Sequence, residues 1–174
     1  MTGHPGSGKT TIMRTVAQML KAQGVNVGGM ISDEVRASGN RIGFEIIDVS
    51  SSKKGWLAHI EQKTGPQVGK YRVNVMDLDS IGVQAILNAI NGADVVLVDE
   101  IGPMELSSER FREAIKLASD SGKPTLCTIH WRMQDQAIDS IRKREDAELL
   151  TITLENRNRL SDTIVRKILG LIKN

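Results

Sequence analysis

The sequence predicts an α/β fold, a mostly parallel sheet flanked by helices, and three observations carry the prediction. A glycine-rich run at residues 3–8 opens directly into an amphipathic helix. Residues 94–98, Asp-Val-Val-Leu-Val, form an apolar run of the kind found in interior parallel strands covered on both faces, and they lead into the acidic pair Asp99-Glu100. From there to the C-terminus, helical and apolar β segments alternate. With 40% hydrophobic but only 3% aromatic residues, the core must be built from Val, Ile, Leu, Met and Ala. That composition suits a sheet under helices better than a β-sandwich. A chain of 174 residues is close to the size of one domain, and a single domain over 1–174 is expected.

Each element follows from local pattern. Only Met1-Thr2 precede the glycine-rich run, so the strand expected before it is truncated. Residues 10–23 place Met13, Val16, Ala17 and Leu20 on one helical face, with Gly24 as the stop. Between 29 and 50, two β-branched runs flank Ala-Ser-Gly-Asn at 37–40, which predicts an antiparallel hairpin. A further strand is predicted at 70–76, a helix at 80–91 and the buried strand at 94–98. Then come a helix at 107–121, a strand at 124–129, a helix at 134–143, a strand at 148–154 and a last helix from Leu160.

Composition narrows the setting. The 23 basic and 21 acidic residues are spread along the chain, giving a net charge of +2, so a nucleic-acid partner is not indicated. The lone Cys127 lies in an apolar run, which points to a reducing cytoplasm. No apolar stretch approaches the roughly 20 residues needed to span a bilayer. His4, His59 and His130 are scattered and build no local zinc pattern.

Gly3-His4-Pro5-Gly6-Ser7-Gly8-Lys9-Thr10 satisfies GxxxxGK[ST], the Walker A pattern, in which glycines let backbone N–H groups curl around phosphate oxygens at a helix N-terminus. Lys9 would reach the β- and γ-phosphates, Thr10 would place its hydroxyl on Mg²⁺, and Thr11 would contact the α-phosphate. Downstream, Val98-Asp99-Glu100-Ile101-Gly102 has the form of a Walker B strand end. Ligands bind at that edge of open α/β sheets. Asp99 would hold Mg²⁺ through water, and Glu100 would orient and deprotonate an attacking water.

These strings, with Asp33-Glu-Val-Arg36, Arg41-Ile-Gly-Phe44, Gly65-Pro-Gln-Val-Gly-Lys-Tyr71, Asp99-Glu-Ile-Gly-Pro-Met-Glu-Leu106 and Glu155-Asn-Arg-Asn158, resemble the archaeal-type nucleoside-triphosphatases, a family that includes a human cancer-related nucleoside-triphosphatase. The resemblance covers nearly the whole chain. It implies a RecA-like sheet extended by antiparallel strands, and Mg²⁺-dependent hydrolysis of several NTPs (ATP, GTP, CTP and UTP) with loose base selectivity.

Other residues have weaker claims. His130 follows an apolar strand and would either sense the γ-phosphate or simply end the strand in a polar loop. Arg132 and Arg142-Lys143-Arg144 would supply a transition-state cation or lid, or only a solvated helix face. Arg36, Arg41 and Phe44 would wall the nucleotide or an unknown partner. Residues 155–158 would shape a base pocket or cap the last helix. Two other functions share the loop and the sheet: a nucleoside or nucleotide kinase, and a slow NTP-driven switch. No Asn-Lys-x-Asp or Leu-Ser-Gly-Gly string occurs, which argues against a guanine-specific GTPase and an ABC-type ATPase. A complete site in one chain is consistent with a monomer.

Overall fold

The computed structural model describes residues 1–172. An 8-stranded sheet runs in the order β1-β8-β7-β2-β3-β4-β6-β5. The strands are β1 (Thr2–Gly3), β2 (Val27–Ala37), β3 (Asn40–Asp48), β4 (Lys54–His59), β5 (Gln67–Val68), β6 (Tyr71–Val73), β7 (Val95–Ile101) and β8 (Thr125–His130). The neighbours β1, β8, β7 and β2 pair in parallel; from β2 outward every pairing is antiparallel. The expected hairpin is present, and it turns at Ser38 (φ 50) and Gly39 (φ 80), the two consecutive positive φ values of a two-residue turn whose twist matches its strands.

The helices are α1 (Lys9–Ala22), α2 (Val75–Asp77), α3 (Gln84–Gly92), α4 (Glu109–Asp120), α5 (Gln136–Arg142) and α6 (Arg157–Ile172). A π-helical stretch, Leu78–Val83, joins α2 to α3, so helical backbone begins earlier than the predicted residue 80. Ser108 caps α4 by accepting from the Phe111 N–H, which sets its start one residue after the cap.

Strand β7 shows why one apolar run organises the molecule. Successive side chains of a strand point to opposite faces. Val95 and Leu97 join a core with Met13, Val16 and Leu20 of α1 and Leu160, Ile164 and Ile168 of α6. Val96 and Val98 join the other core, with Ile86 of α3 and Phe111 and Ile115 of α4. Burying both faces accounts for the absence of polar residues from 95 to 98.

Two sequence expectations change. The predicted strand at 148–154 reduces to a single parallel bridge, Thr2 to Thr151, flanked by hydrogen bonds from the Thr2 N–H to the Leu150 carbonyl and from the Ile152 N–H to the Thr2 carbonyl. Its far end is diverted because Asn156 accepts from the Thr153 N–H and donates to the Thr151 carbonyl, forming a local turn. Beyond the hairpin, β4, β6 and β5 extend the antiparallel half, and of these only β6 was anticipated.

Candidate functional site

The site lies at the carboxyl edge of the four parallel strands, where β1 gives way to the glycine-rich loop and then to α1. Gly8 occupies the position before α1 with φ 96 and has open space where a Cβ would lie, so its glycine is required by backbone conformation. Gly3 is required by close approach instead: a Cβ there would stand 2.7 Å from Ser7 Oγ and 3.2 Å from Ile152 Cβ. The Ser7 N–H donates to the His4 carbonyl at 3.0 Å and closes the turn of the loop.

Lys9 folds back over this loop. Its ammonium donates to the Gly3 carbonyl at 3.3 Å and lies 3.2 Å from Glu100 Oε2. Thr10 follows at the next position on α1, and its hydroxyl works against the rise of the Asp99 carboxyl. The Lys9–Glu100 contact ties the loop helix to the end of β7.

The pairing of β7 with β8 explains how both acidic side chains face the loop. Val98 pairs with Cys127 and Ile101 with Ile129, so Asp99 and Glu100 together oppose Thr128 alone. In a regular strand two consecutive side chains would point to opposite faces. The extra residue, a β-bulge, lets both turn toward α1. The Asp99–Glu100 peptide is cis.

Asp99 is fully buried and accepts a hydrogen bond from the Thr128 hydroxyl. Burial pushes its carboxyl above the usual range, opposed by the Thr128 and Thr10 hydroxyls. Glu105, in a 3₁₀ turn (Glu105–Ser107) after β7, is also buried. Its carboxyl is raised to about 8, chiefly by desolvation; the N–H groups of Glu105 and Gly102 oppose the rise and the nearby Glu100 and Asp99 charges add to it. Gly102 sits where these groups converge: a Cβ built on it would lie 3.1 Å from Glu105 Oε2, 3.6 Å from Glu100 Oε1 and 3.7 Å from His130 Cβ.

The structure thus gathers Gly3, His4, Pro5, Gly6, Ser7, Gly8, Lys9, Thr10, Asp99, Glu100, Gly102 and His130 around one edge. Thr11 is on the exposed side of α1. Val98 and Ile101 are fully buried in the core, so any contact with a nucleotide from these positions falls to their backbone. Glu105 is the residue that sequence reasoning missed as a site group, although it lies inside the quoted acidic motif. Its only signal was a carboxylate between two apolar residues, Met104 and Leu106.

Other candidates are engaged elsewhere. Arg36 and Arg41 both pair with Glu34; Arg41 also donates to the Tyr71 hydroxyl and lies over the Phe44 ring. Arg144 is held by Asp120 and Asp146, and Arg142 lies 3.8 Å from Asp139. Among the described residues no helix is long and apolar enough to cross a membrane.

A glycine loop opening a helix beside an acidic strand end, on a parallel sheet, defines the P-loop class of nucleoside-triphosphate-binding proteins. Comparison with known proteins then gives the family. A model of the family described as NTPase matches residues 1–165. The nucleoside-triphosphatase THEP1 of Thermofilum pendens is 46% identical over 173 residues, 99% of this chain and 95% of its own. The protein of the same name from Methanocaldococcus jannaschii is 39% identical, covering 99% and 98%. Among solved structures, that of THEP1 from the hyperthermophile Aquifex aeolicus matches with a TM-score of 0.84 at 30% identity, covering 96% of each chain. The solution structure of a human cancer-related nucleoside triphosphatase matches with 0.82 at 32%, covering 97% of this chain and 95% of its own. The chain belongs to this NTPase family, and the resemblance drawn from its motifs holds.

Proposed function

We propose that the protein hydrolyses nucleoside 5′-triphosphates to the diphosphate and phosphate with Mg²⁺, accepting ATP, GTP, CTP and UTP. One observation supports the reading above the others. Among the described residues, the buried side-chain polar atoms without a hydrogen-bond partner are Ser7 Oγ, Asp99 Oδ2 and His130 Nδ1. Each belongs to the phosphate loop or to the strand ends beside it. Unpaired buried polar atoms are costly and are kept where a ligand satisfies them.

The oxygens fit the proposed metal. Asp99 Oδ2 and the Thr10 hydroxyl are hard donors on adjoining elements, the kind Mg²⁺ accepts alongside water and phosphate oxygens. Asp99, through water, and Thr10 would hold the ion, which would neutralise charge on the β- and γ-phosphates.

The chain's own groups account for the rest. Loop amides and the N-terminus of α1 bind the phosphates. An ammonium has three N–H donors. Lys9 directs one to Gly3 and one toward Glu100, which leaves a third for the β/γ oxygens. Glu100, oriented by Lys9, takes a proton from water as that water's oxygen bonds to the γ-phosphorus. The bond from the γ-phosphorus to the bridging oxygen breaks and its electron pair stays on the diphosphate. His130 would stand within reach of the developing charge.

We infer a single domain acting as a monomer, since one chain supplies every group named above, and the lone free Cys127 supports a reducing cytoplasm as its setting. The test is phosphate release from the four triphosphates with and without Mg²⁺, alone and with nucleoside or nucleotide acceptors. Mg²⁺-dependent release from all four without an acceptor is expected. Turnover only with an acceptor would make the protein a kinase, and very slow turnover would favour an NTP-driven switch.

A further inference from the structure

Gly3 at the end of β1 is in parallel register with His130 at the end of β8. The two segments therefore leave the sheet side by side, and the residues that follow meet. His4 and Trp131 stack with ring centroids 3.8 Å apart and planes tilted by 36°. The Arg132 guanidinium carbon lies 4.6 Å from the centroid of the same Trp131 ring. A cation is thus attached, through one indole, to the second residue of the phosphate loop.

Arg132 differs from the other arginines of its neighbourhood. Arg112 pairs with Asp135, Arg142 with Asp139, and Arg144 with Asp120 and Asp146. Arg132 is exposed and, among the described residues, has no carboxylate partner. Among the described residues Arg72, Arg157, Arg159 and Arg166 also have none, but no ring contact ties them to the phosphate loop. A cation–π contact leaves the N–H fork of a guanidinium available. The charge balance calls for such a group: Lys9 already shares its charge with Glu100, beside buried Asp99.

We propose that Arg132, carried on the Trp131–His4 stack, is the cation that meets the γ-phosphate oxygens in the transition state. This deepens the hydrolytic reading and rests on it. As the bridging bond breaks, negative charge spreads over the γ oxygens, and a planar guanidinium can donate to two of them at once. Trp131 is then a positioning residue, pre-paying part of the ordering that a free arginine side chain would need. No second protein is required to supply an arginine.

The experiment uses the full chain. The sequence has two tryptophans, so Trp56→Phe, on β4 in the antiparallel half, leaves Trp131 as the sole indole and is expected to keep the activity. In this parent, Mg²⁺ with ADP and fluoroaluminate is expected to change Trp131 fluorescence and bind more tightly than ADP alone. Arg132→Ala is expected to keep the parent's ATP and ADP affinity, lose the fluoroaluminate tightening and lower kcat on the order of a hundredfold. Arg132→Lys should recover part of kcat, and Trp131→Ala should lower kcat with KM unchanged.

Parent-like turnover in Arg132→Ala, or a defect confined to KM, overturns the assignment of Arg132. Full turnover in Trp131→Ala overturns its positioning by the stack. A parent that releases no phosphate from any triphosphate overturns the hydrolytic reading itself, and this assignment with it. In that last case Arg132→Ala has no rate to lower, so the two failures are told apart.

Discussion

Lys9 Nζ lies 3.2 Å from Glu100 Oε2, with the lysine side chain only 10% exposed and the glutamate 22%. This contact joins the residue assigned to phosphate binding to the residue assigned to water activation, so their variants should fail differently. Lys9→Ala removes a phosphate ligand and frees Glu100 together. It should weaken nucleotide binding and hydrolysis at once. Glu100→Gln keeps the shape and the lysine contact but cannot take a proton, so it should retain binding and slow hydrolysis on the order of a hundredfold or more. Equilibrium binding of a labelled nucleotide, measured beside single-turnover hydrolysis, separates the two. Wild-type hydrolysis by Glu100→Gln would remove Glu100 from the mechanism.

Thr128 supplies a second prediction, because its hydroxyl is fully buried and donates to Asp99. Thr128→Val removes that donor without changing the volume much. The carboxylate then loses a partner in a site where burial already disfavours its charge, so a loss of about 1–3 kcal/mol in stability is expected. The same change should raise the Mg²⁺ concentration needed for half-maximal activity. Urea unfolding and a Mg²⁺ titration of the rate report the two effects. An unchanged unfolding midpoint would show that the hydrogen bond contributes nothing net.

Much of this site was legible in the sequence because its signals are local. The glycine loop, the amphipathic face of α1 and the four apolar residues of β7 are each fixed by neighbours in the chain. The bulge is not. That Asp99 and Glu100 both turn to α1 depends on β8 offering only Thr128 opposite them, a fact of strand pairing. Strand β4 escaped notice for a related reason: Lys54, Gly55 and Trp56 show no alternation, and their place in the sheet comes from β3 and from the Trp56 N–H bond to Asp77. The strand predicted at 148–154 failed in the opposite sense, since its apolar alternation was real but Asn156 turns the backbone away.

Glu105 gives a pH prediction whose sign follows from burial. An unfolded glutamate titrates near 4.5, whereas here desolvation raises the carboxyl to about 8. Between these values the folded protein holds a proton that the unfolded chain has released. Stability from this group is therefore complete below about 4.5, declines as pH rises through the window and is lost above about 8, at up to roughly 1.4 kcal/mol per pH unit. Glu105→Gln stays neutral throughout and should flatten that part of the profile. Urea midpoints of the two proteins from pH 5 to 9 make the comparison. Parallel profiles would mean that Glu105 ionises in the folded protein much as it does in the unfolded chain.

Gly102 tests whether Glu105 also shapes the chemistry. Its backbone φ is ordinary, so alanine brings no conformational strain, and a Cβ would make only ordinary contacts with Glu100 Oε1 at 3.6 Å and His130 Cβ at 3.7 Å. The tight approach is to Glu105 Oε2 at 3.1 Å, and Glu105 is too buried to swing into solvent. Gly102→Ala should therefore displace Glu105 by a few tenths of an ångström, lower kcat several-fold and leave nucleotide affinity unchanged. In a Glu105→Ala background the same alanine has nothing to press against. The two changes should be non-additive, with a coupling of at least about 0.5 kcal/mol in kcat, as expected for residues in contact. Additive effects would place the cost of Gly102→Ala on Glu100 or His130 instead.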